Sequence, residues 1–150
     1  MKNVCNDRII VLELKAEPAS ISFVQVCMPT SKYEDDQVDE MYTKTEEILE
    51  EDRKGETNTI KMGDWNGVAG DKSYRNTAGP HGPGRISQRG QTLIDVYEMN
   101  SLVITNTQFK KTKRRLYTWK APEQSQHQCC ILACSGRECI IDFALDRSEA

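Results

Sequence analysis

The tetrapeptide Gly-Asp-Trp-Asn at residues 63–66 brings together side chains that could do chemistry in one loop. It follows the short strand candidate Thr-Ile-Lys-Met at residues 59–62, so Asp64 and Asn66 would project from the end of a strand. The carboxylate of Asp64 could act as a general base or organise a metal ion, and the amide of Asn66 could bind a phosphate oxygen. Asp and Asn are also ordinary turn residues, so the tetrapeptide alone leaves a purely structural turn open.

A second carboxylate stands in an apolar segment near the end of the sequence. Asp142 lies inside residues 140–145, Ile-Ile-Asp-Phe-Ala-Leu, where a buried and unpaired charge would be costly. We expect its side chain either to face solvent from an edge strand or to meet a partner in a functional site. The sequence pattern leaves both interpretations open.

The elements that must position these residues begin with a predicted β-hairpin. Residues 8–15 and 21–27 are rich in apolar and β-branched side chains, and Glu17-Pro18 between them signals a turn. An amphipathic helix is predicted next, with a capping box formed by Ser31 and Glu34 and an end at Gly55. Its acidic outer face is typical of a solvated surface.

The second half of the sequence continues the alternation of strands and helices. Residues 59–62 predict a strand, residues 67–90 a long irregular loop rich in Gly and Pro, and Ser87 the cap of a helix ending near Met99. Residues 102–105, 116–119 and 140–145 are further strand candidates. This order predicts a layered α/β fold with a mixed, largely antiparallel sheet and flanking helices in a single domain over residues 1–150.

Charge and hydropathy narrow the classes of function. The net charge is -3 and the pI is near 5.5, so attraction for nucleic acid would have to come from a metal or from a local patch. Residues 110–115, Lys-Lys-Thr-Lys-Arg-Arg, form such a patch, although runs of this kind are commonly solvated loops. No segment approaches the roughly 20 apolar residues of a membrane span. We expect an intracellular protein without a membrane partner, compatible with a nuclear location.

The order of motifs along the chain resembles the endonuclease/exonuclease/phosphatase family, in the branch carried by LINE-type retrotransposons and craniofacial development protein 2-like sequences. The resemblance rests on residues 25–31, 62–66, 76–90, 102–107, 115–120 and 141–143. It implies a DNase I-like, four-layer α/β sandwich of which this chain holds a part. It also implies hydrolysis of DNA phosphodiesters assisted by Mg²⁺, with no small-molecule cofactor.

The resemblance also assigns roles to individual residues. Asp64 would orient or deprotonate the attacking water, Asn66 would contact the scissile phosphate, and Asp142 would be a carboxylate near the active face. Thr118 and Trp119 would lie beside the nucleic-acid cleft, with Arg115 in the basic patch close to them. A core aromatic on a strand is an equally acceptable interpretation of Trp119.

The chain also departs from the family pattern. The family's metal-binding Glu and its Ser-Asp-His motif have no match, so the metal ligands are unknown, and Cys27 stands where the family usually has Tyr before x-Pro. The resemblance therefore implies a truncated endonuclease domain with impaired activity. A non-catalytic remnant or domesticated copy of a retroelement is the alternative, and a phosphoesterase of small molecules is a third option.

Two structural expectations follow from these departures. If half of a sandwich is missing, apolar sheet surface should be exposed and should favour self-association. Residues 120–141 exceed the family spacing and contain Cys129, Cys130, Cys134 and Cys139. Zinc binding there is conceivable, but the spacing lacks paired Cys-x2-Cys, and we interpret the segment as an insertion with buried or free thiols.

Overall fold

A six-stranded mixed sheet with two helices forms most of the computed structural model, which describes residues 3–5, 7–30, 32–55, 57–112, 116, 119–120, 127–128 and 131–135. The elements in chain order are strands β1 (Asn3–Cys5), β2 (Ile9–Leu14) and β3 (Ile21–Cys27), helix α1 (Asp35–Lys54), strand β4 (Asn58–Asp64), helix α2 (Gln88–Met99), strand β5 (Leu102–Ile104), a 3₁₀ helix (Thr105–Thr107), and strands β6 (Trp119–Lys120), β7 (His127–Gln128) and β8 (Ile131–Ser135). Neither described α-helix is long and apolar enough to cross a membrane.

The strand order in the sheet is β1-β2-β3-β4-β8-β5, and β6 pairs with β7 in a separate ribbon. Strands β2 and β3 form the predicted antiparallel hairpin. Strands β3 and β4 are parallel, with α1 as the connection between them, and the other described pairs in this sheet are antiparallel. The predicted mixed and largely antiparallel sheet with flanking helices is therefore confirmed.

Strand β8 corrects the interpretation of the cysteine-rich segment as an insertion. Ile131–Ser135 pairs with β4 on one side and with β5 on the other, so this segment joins the two halves of the sheet. Its sequence, Ile-Leu-Ala-Cys-Ser, is a short apolar run of the kind found in strands buried on both faces. Cys134 lies in this strand, whereas Cys129, Cys130 and Cys139 lie outside the described residues.

The two helices pack where the periodicity predicts. Ser87 caps α2, since its Oγ accepts a hydrogen bond of 3.0 Å from the backbone N–H of Gly90. The residues of the two helices that are buried are Val38, Met41, Tyr42, Thr45 and Leu49 in α1 and Gly90, Leu93, Ile94 and Tyr97 in α2. Both helices thus turn an apolar stripe towards the sheet.

Helix α1 begins later than predicted, and the capping box is wrong. Its N-cap is Glu34, which has an extended backbone and makes no side-chain cap hydrogen bond. The chain just before it forms a separate turn, in which the N–H of Tyr33 donates to the carbonyl oxygen of Thr30 at 3.0 Å. This turn occupies the backbone that the predicted first helical turn would need. Ser31 itself lies outside the described residues.

The two faces of the sheet are covered unequally. Ile9, Val11, Val24 and Val26 lie in one buried cluster with the apolar residues of both helices. On the other face of β2, the side chains of Ile10, Leu12 and Leu14 are 52%, 38% and 44% exposed. The expected exposure of apolar sheet surface is confirmed, and the self-association that it favours remains a prediction.

Lys61 is a buried cation on the covered face of β4. It is 1% exposed, and its Nζ donates a hydrogen bond of 3.0 Å to the carbonyl oxygen of Thr45 in α1. Burial lowers the pKa of Lys61 from 10.5 to about 8, with the nearby Glu46 carboxylate acting in the opposite direction. One hydrogen bond therefore offsets only part of the cost of placing this charge between helix and sheet.

The pKa of Lys61 predicts a pH dependence of stability. Between about pH 8 and pH 10.5 the folded state binds fewer protons than the unfolded state, so the free energy of unfolding should rise with pH in this window. Lys61→Met should remove the rise and stabilise the protein by about 1–3 kcal/mol at pH 7. Urea titrations between pH 7 and 9.5 measure both effects.

The upper limit of pH 9.5 matters because burial also raises the pKa of Tyr42 and of Tyr97. Those groups lower stability once unfolded tyrosine ionises near pH 10. Lys54→Met, at the exposed end of α1, is the control and should keep the slope of the parent. A rise with pH that persists in Lys61→Met would assign the dependence to another group.

Candidate functional site

Two loops meet at one edge of the sheet because β3 and β4 run parallel. Their register places Cys27 opposite Asp64, so the chain leaves both strands at the same level. Beyond the strands, the N–H of Met28 donates a hydrogen bond of 2.8 Å to the carbonyl oxygen of Asp64. The two candidate residues Asp64 and Asn66 therefore stand on a loop that is tied to its neighbour by the backbone.

Hydrogen bonds fix both candidate side chains. Oδ1 of Asp64 accepts from the backbone N–H of Asn66 at 3.0 Å, which closes a tight turn. Nδ2 of Asn66 donates to the carbonyl oxygen of Met28 at 2.7 Å. Asn66 has a φ of +48°, a left-handed conformation that Asn tolerates better than most residues. The structure thus brings Asp64 and Asn66 together, as predicted, and engages one polar atom of each in holding the loop.

Trp65 anchors the loop between these two residues. It is 1% exposed, its ring stacks on Tyr42 at a centroid distance of 5.9 Å, and it meets Tyr97 edge-on at 5.3 Å. Burying a ring of this size contributes about 4–6 kcal/mol. Its Nε1 has no hydrogen-bond partner among the described residues, at a cost of about 1–3 kcal/mol. Packing outweighs this cost, so the ring stays inside, while its neighbours Asp64 and Asn66 remain partly exposed.

Arg89, at the start of α2, holds the loop that follows β3 in place. Its Nη1 donates to the carbonyl oxygen of Pro29 at 2.5 Å and its Nη2 to that of Tyr33 at 3.3 Å, while Asp35 lies 3.9 Å away. The side chain is only 19% exposed. Arg89 therefore joins α2 to the loop that follows β3, on the flank of the Asp64 turn.

The structure describes only some of the other predicted site residues. Asp142, Thr118 and Arg115 lie outside the described residues, and Trp119 lies in the short strand β6. Of the basic patch, Lys110 is exposed and Lys111 partly exposed, just after the 3₁₀ helix. The roles assigned to these residues stay predictions.

A magnesium site is not assembled by the side chains that the structure describes. Mg²⁺ takes oxygen ligands in octahedral geometry, with carboxylates as the usual protein contribution. Asp64 supplies one carboxylate, and Oδ1 of that group is already a hydrogen-bond acceptor. Within the described ranges, no three His, Cys, Asp or Glu residues come close enough to hold a metal ion. Mg²⁺ therefore remains an expectation from the resemblance.

Sequence reasoning missed the positioning roles of Trp65 and Arg89. A large aromatic between two polar residues at a strand end, as Trp65 is, indicates an anchored loop and could have revealed this role. Arg89 falls within residues 76–90 of the resemblance, which assign it no role. Its partners are backbone carbonyl groups about 60 residues away in sequence, and no periodicity reveals such contacts.

The site belongs to an α/β protein that presents polar side chains at the carboxyl edge of a parallel strand pair. The chain is homologous to craniofacial development protein 2, with 36% identity over 121 residues to the proteins of Tragulus javanicus and Bos taurus. The match covers 81% of this chain but only 21% and 20% of those relatives. No family model matches the chain.

Substitutions of Asn66 should separate the two features that fix the turn. Asn66→Gly removes the hydrogen bond to Met28 but accepts a positive φ, whereas Asn66→Ala loses the bond and strains the backbone. We expect a loss of about 1 kcal/mol for glycine and about 1 kcal/mol more for alanine. Urea unfolding measures both, with Asn58→Ala at the exposed start of β4 as control. Equal free energies of unfolding of the two variants would contradict the claim that the positive φ at residue 66 strains the alanine variant.

Proposed function

We propose that this chain is part of a nuclease-derived domain that binds the DNA backbone at the Asp64 turn and has lost most of its hydrolytic activity. The observation that carries the proposal is the engagement of both candidate side chains within the loop. Oδ1 of Asp64 and Nδ2 of Asn66 hold the turn and the neighbouring Met28. These contacts leave fewer polar atoms of the two side chains to meet water or phosphate, which disfavours hydrolysis at this turn.

Homology to craniofacial development protein 2 supports a domesticated, nuclease-like protein. The chain spans about a fifth of those relatives, so the activity and partners of the whole protein are part of the proposal. A DNA partner would be met in the nucleus. Cys27 adds to the argument, since it lies exposed beside the turn where the resembling family usually has Tyr, and a thiol is a weak hydrogen-bond donor to phosphate.

The exposed face of β2 supports the larger architecture that the resemblance implies. A four-layer sandwich packs a second sheet on the face opposite the helices. In this chain that face presents Ile10, Leu12 and Leu14, all more than a third exposed. We propose that a second sheet of the complete domain covers these side chains.

An active Mg²⁺-dependent DNA endonuclease is the second candidate. The parallel strand pair favours it, because Asp64 and Asn66 lie side by side at the edge where the resembling family would place its catalytic carboxylate and amide. In this case Asp64 would hold the attacking water, and Asn66 would turn its amide to the phosphate after leaving Met28. The two candidates differ in whether DNA is cut, and both bring phosphate to the same turn.

Asp64→Asn tests both candidates in one variant. It keeps an oxygen that can accept from the N–H of Asn66 and removes a negative charge from the turn. We expect the parent to nick supercoiled plasmid no faster in Mg²⁺ than in EDTA. In EDTA, Asp64→Asn should bind labelled duplex DNA about two- to fivefold more tightly, because one repulsion of phosphate is gone. Fluorescence anisotropy measures this affinity.

Glu47→Gln provides a charge-matched control on the exposed face of α1. If it raises DNA affinity as much as Asp64→Asn, binding reflects net charge and the turn is not the contact. If the parent nicks only in Mg²⁺ and Asp64→Asn does not, the protein is an active endonuclease and the proposed loss of hydrolysis is wrong. Circular dichroism of each variant verifies that it is folded.

A further inference from the structure

A cavity of about 320 Å³ opens beside the Asp64 turn, between the residues just before β2, the loop after β3 and the first half of α1. Pro29 lines it and immediately follows Met28, whose carbonyl oxygen binds Asn66. The cavity and the turn are therefore separated by a single residue of the chain. A volume near the lower end of the range for small-molecule sites, about 300–1,000 Å³, suits one base or nucleoside.

The lining combines an apolar floor with a polar rim. Pro29 and Met41 are buried and form the floor, and Tyr33 is an exposed aromatic wall. Gln37 stands on the first turn of α1, where its amide offers both a donor and an acceptor. This arrangement suits a ring that is apolar on its faces and polar at its edge.

A cation–π pair of side chains lines one wall of the cavity. The Cζ atom of Arg8 lies 4.9 Å from the centroid of the Tyr33 ring, and Nη1 of Arg8 donates to the carbonyl oxygen of Cys27 at 3.4 Å. The guanidinium is thereby held over the aromatic ring. Arginine planes and aromatic rings are the surfaces on which unpaired bases stack.

The charges of the rim argue against a simple phosphate site. Arg8 and Lys44 line the cavity, but Asp7 and Glu40 line it as well, and Nζ of Lys44 lies 2.6 Å from Oε1 of Glu40. An anion would meet as many negative as positive groups. A neutral ring with both donors and acceptors at its edge matches this rim better.

We propose that this cavity binds a single unpaired nucleobase, stacked on the Arg8 and Tyr33 pair and read at its edge by Gln37. This proposal rests on the proposed function. If the DNA backbone lies at the Asp64 turn, an adjacent base would be within reach of the cavity. The assay uses a phosphate-free nucleoside, so failure of base binding and failure of backbone binding are separate results.

The experiment titrates the purified chain into 2-aminopurine riboside, whose fluorescence falls when the base stacks. We expect saturable quenching with a Kd of order 1 mM or below. Tyr33→Phe should bind like the parent, and Tyr33→Ala should bind about fivefold to a hundredfold more weakly. Phe109→Ala is the matched control, because Phe109 is 38% and Tyr33 42% exposed and Phe109 does not line the cavity.

Gln37→Trp is a second variant that leaves the loop intact and fills the mouth of the cavity from an exposed helical position. It should abolish quenching even if Tyr33→Ala proves poorly folded. Unchanged binding in a folded Tyr33→Ala or in Gln37→Trp would overturn the inference. It would also be overturned by displacement of the nucleoside by inorganic phosphate, or by an absence of saturable quenching at millimolar concentrations.

Discussion

Strands β3 and β4 approach each other so closely at their ends that only glycine fits at residue 63. Gly63 has a φ of +139°, and a Cβ built there would lie 1.8 Å from the carbonyl oxygen of Val26. Gly63 pairs with Val26 in the register that places Asp64 opposite Cys27, and the hydrogen bond from Met28 to Asp64 extends this pairing beyond the sheet. The candidate turn and the wall of the neighbouring cavity both depend on this approach, because both are built on the two loops that leave these strands.

The loop after β4 is held by packing, and the loop after β3 is held by hydrogen bonds. The burial of Trp65 between Tyr42 and Tyr97 fixes the inner side of the loop after β4. The guanidinium of Arg89, in α2, fixes the loop after β3 by hydrogen bonds to two backbone carbonyl groups. Stiff loops of this kind suit recognition, because little conformational entropy is lost when a ligand binds. They suit hydrolysis less well when the polar groups needed for it already serve the loop.

The hairpin, the two helices and the strand that leads into the Asp64 turn could be predicted from the sequence because their signals are local. Alternating burial, the cap at Ser87 and the glycine at the strand end each act within a few residues. Strand β8 was not predicted because its apolar run has no alternation and because it lies among cysteines, whose clustering is also typical of metal sites. The start of α1 was misplaced because the turn at Tyr33 uses backbone that Ser31 and Glu34 would otherwise cap. The contacts of Arg89 and the burial of Lys61 arise from tertiary packing, which no short window of sequence contains.

The central claim is that the edge formed by β3 and β4 is the surface that meets DNA. Backbone amide shifts in two-dimensional NMR spectra, recorded during titration with a short duplex that has an unpaired base, test it most directly. The account predicts that the largest changes fall at residues 27, 28, 33 and 64–66, with little change on the outer face of β2. Changes centred instead on Lys110 and Lys111, with residues 64–66 unaffected, would contradict it and would move the nucleic-acid contact to the basic segment.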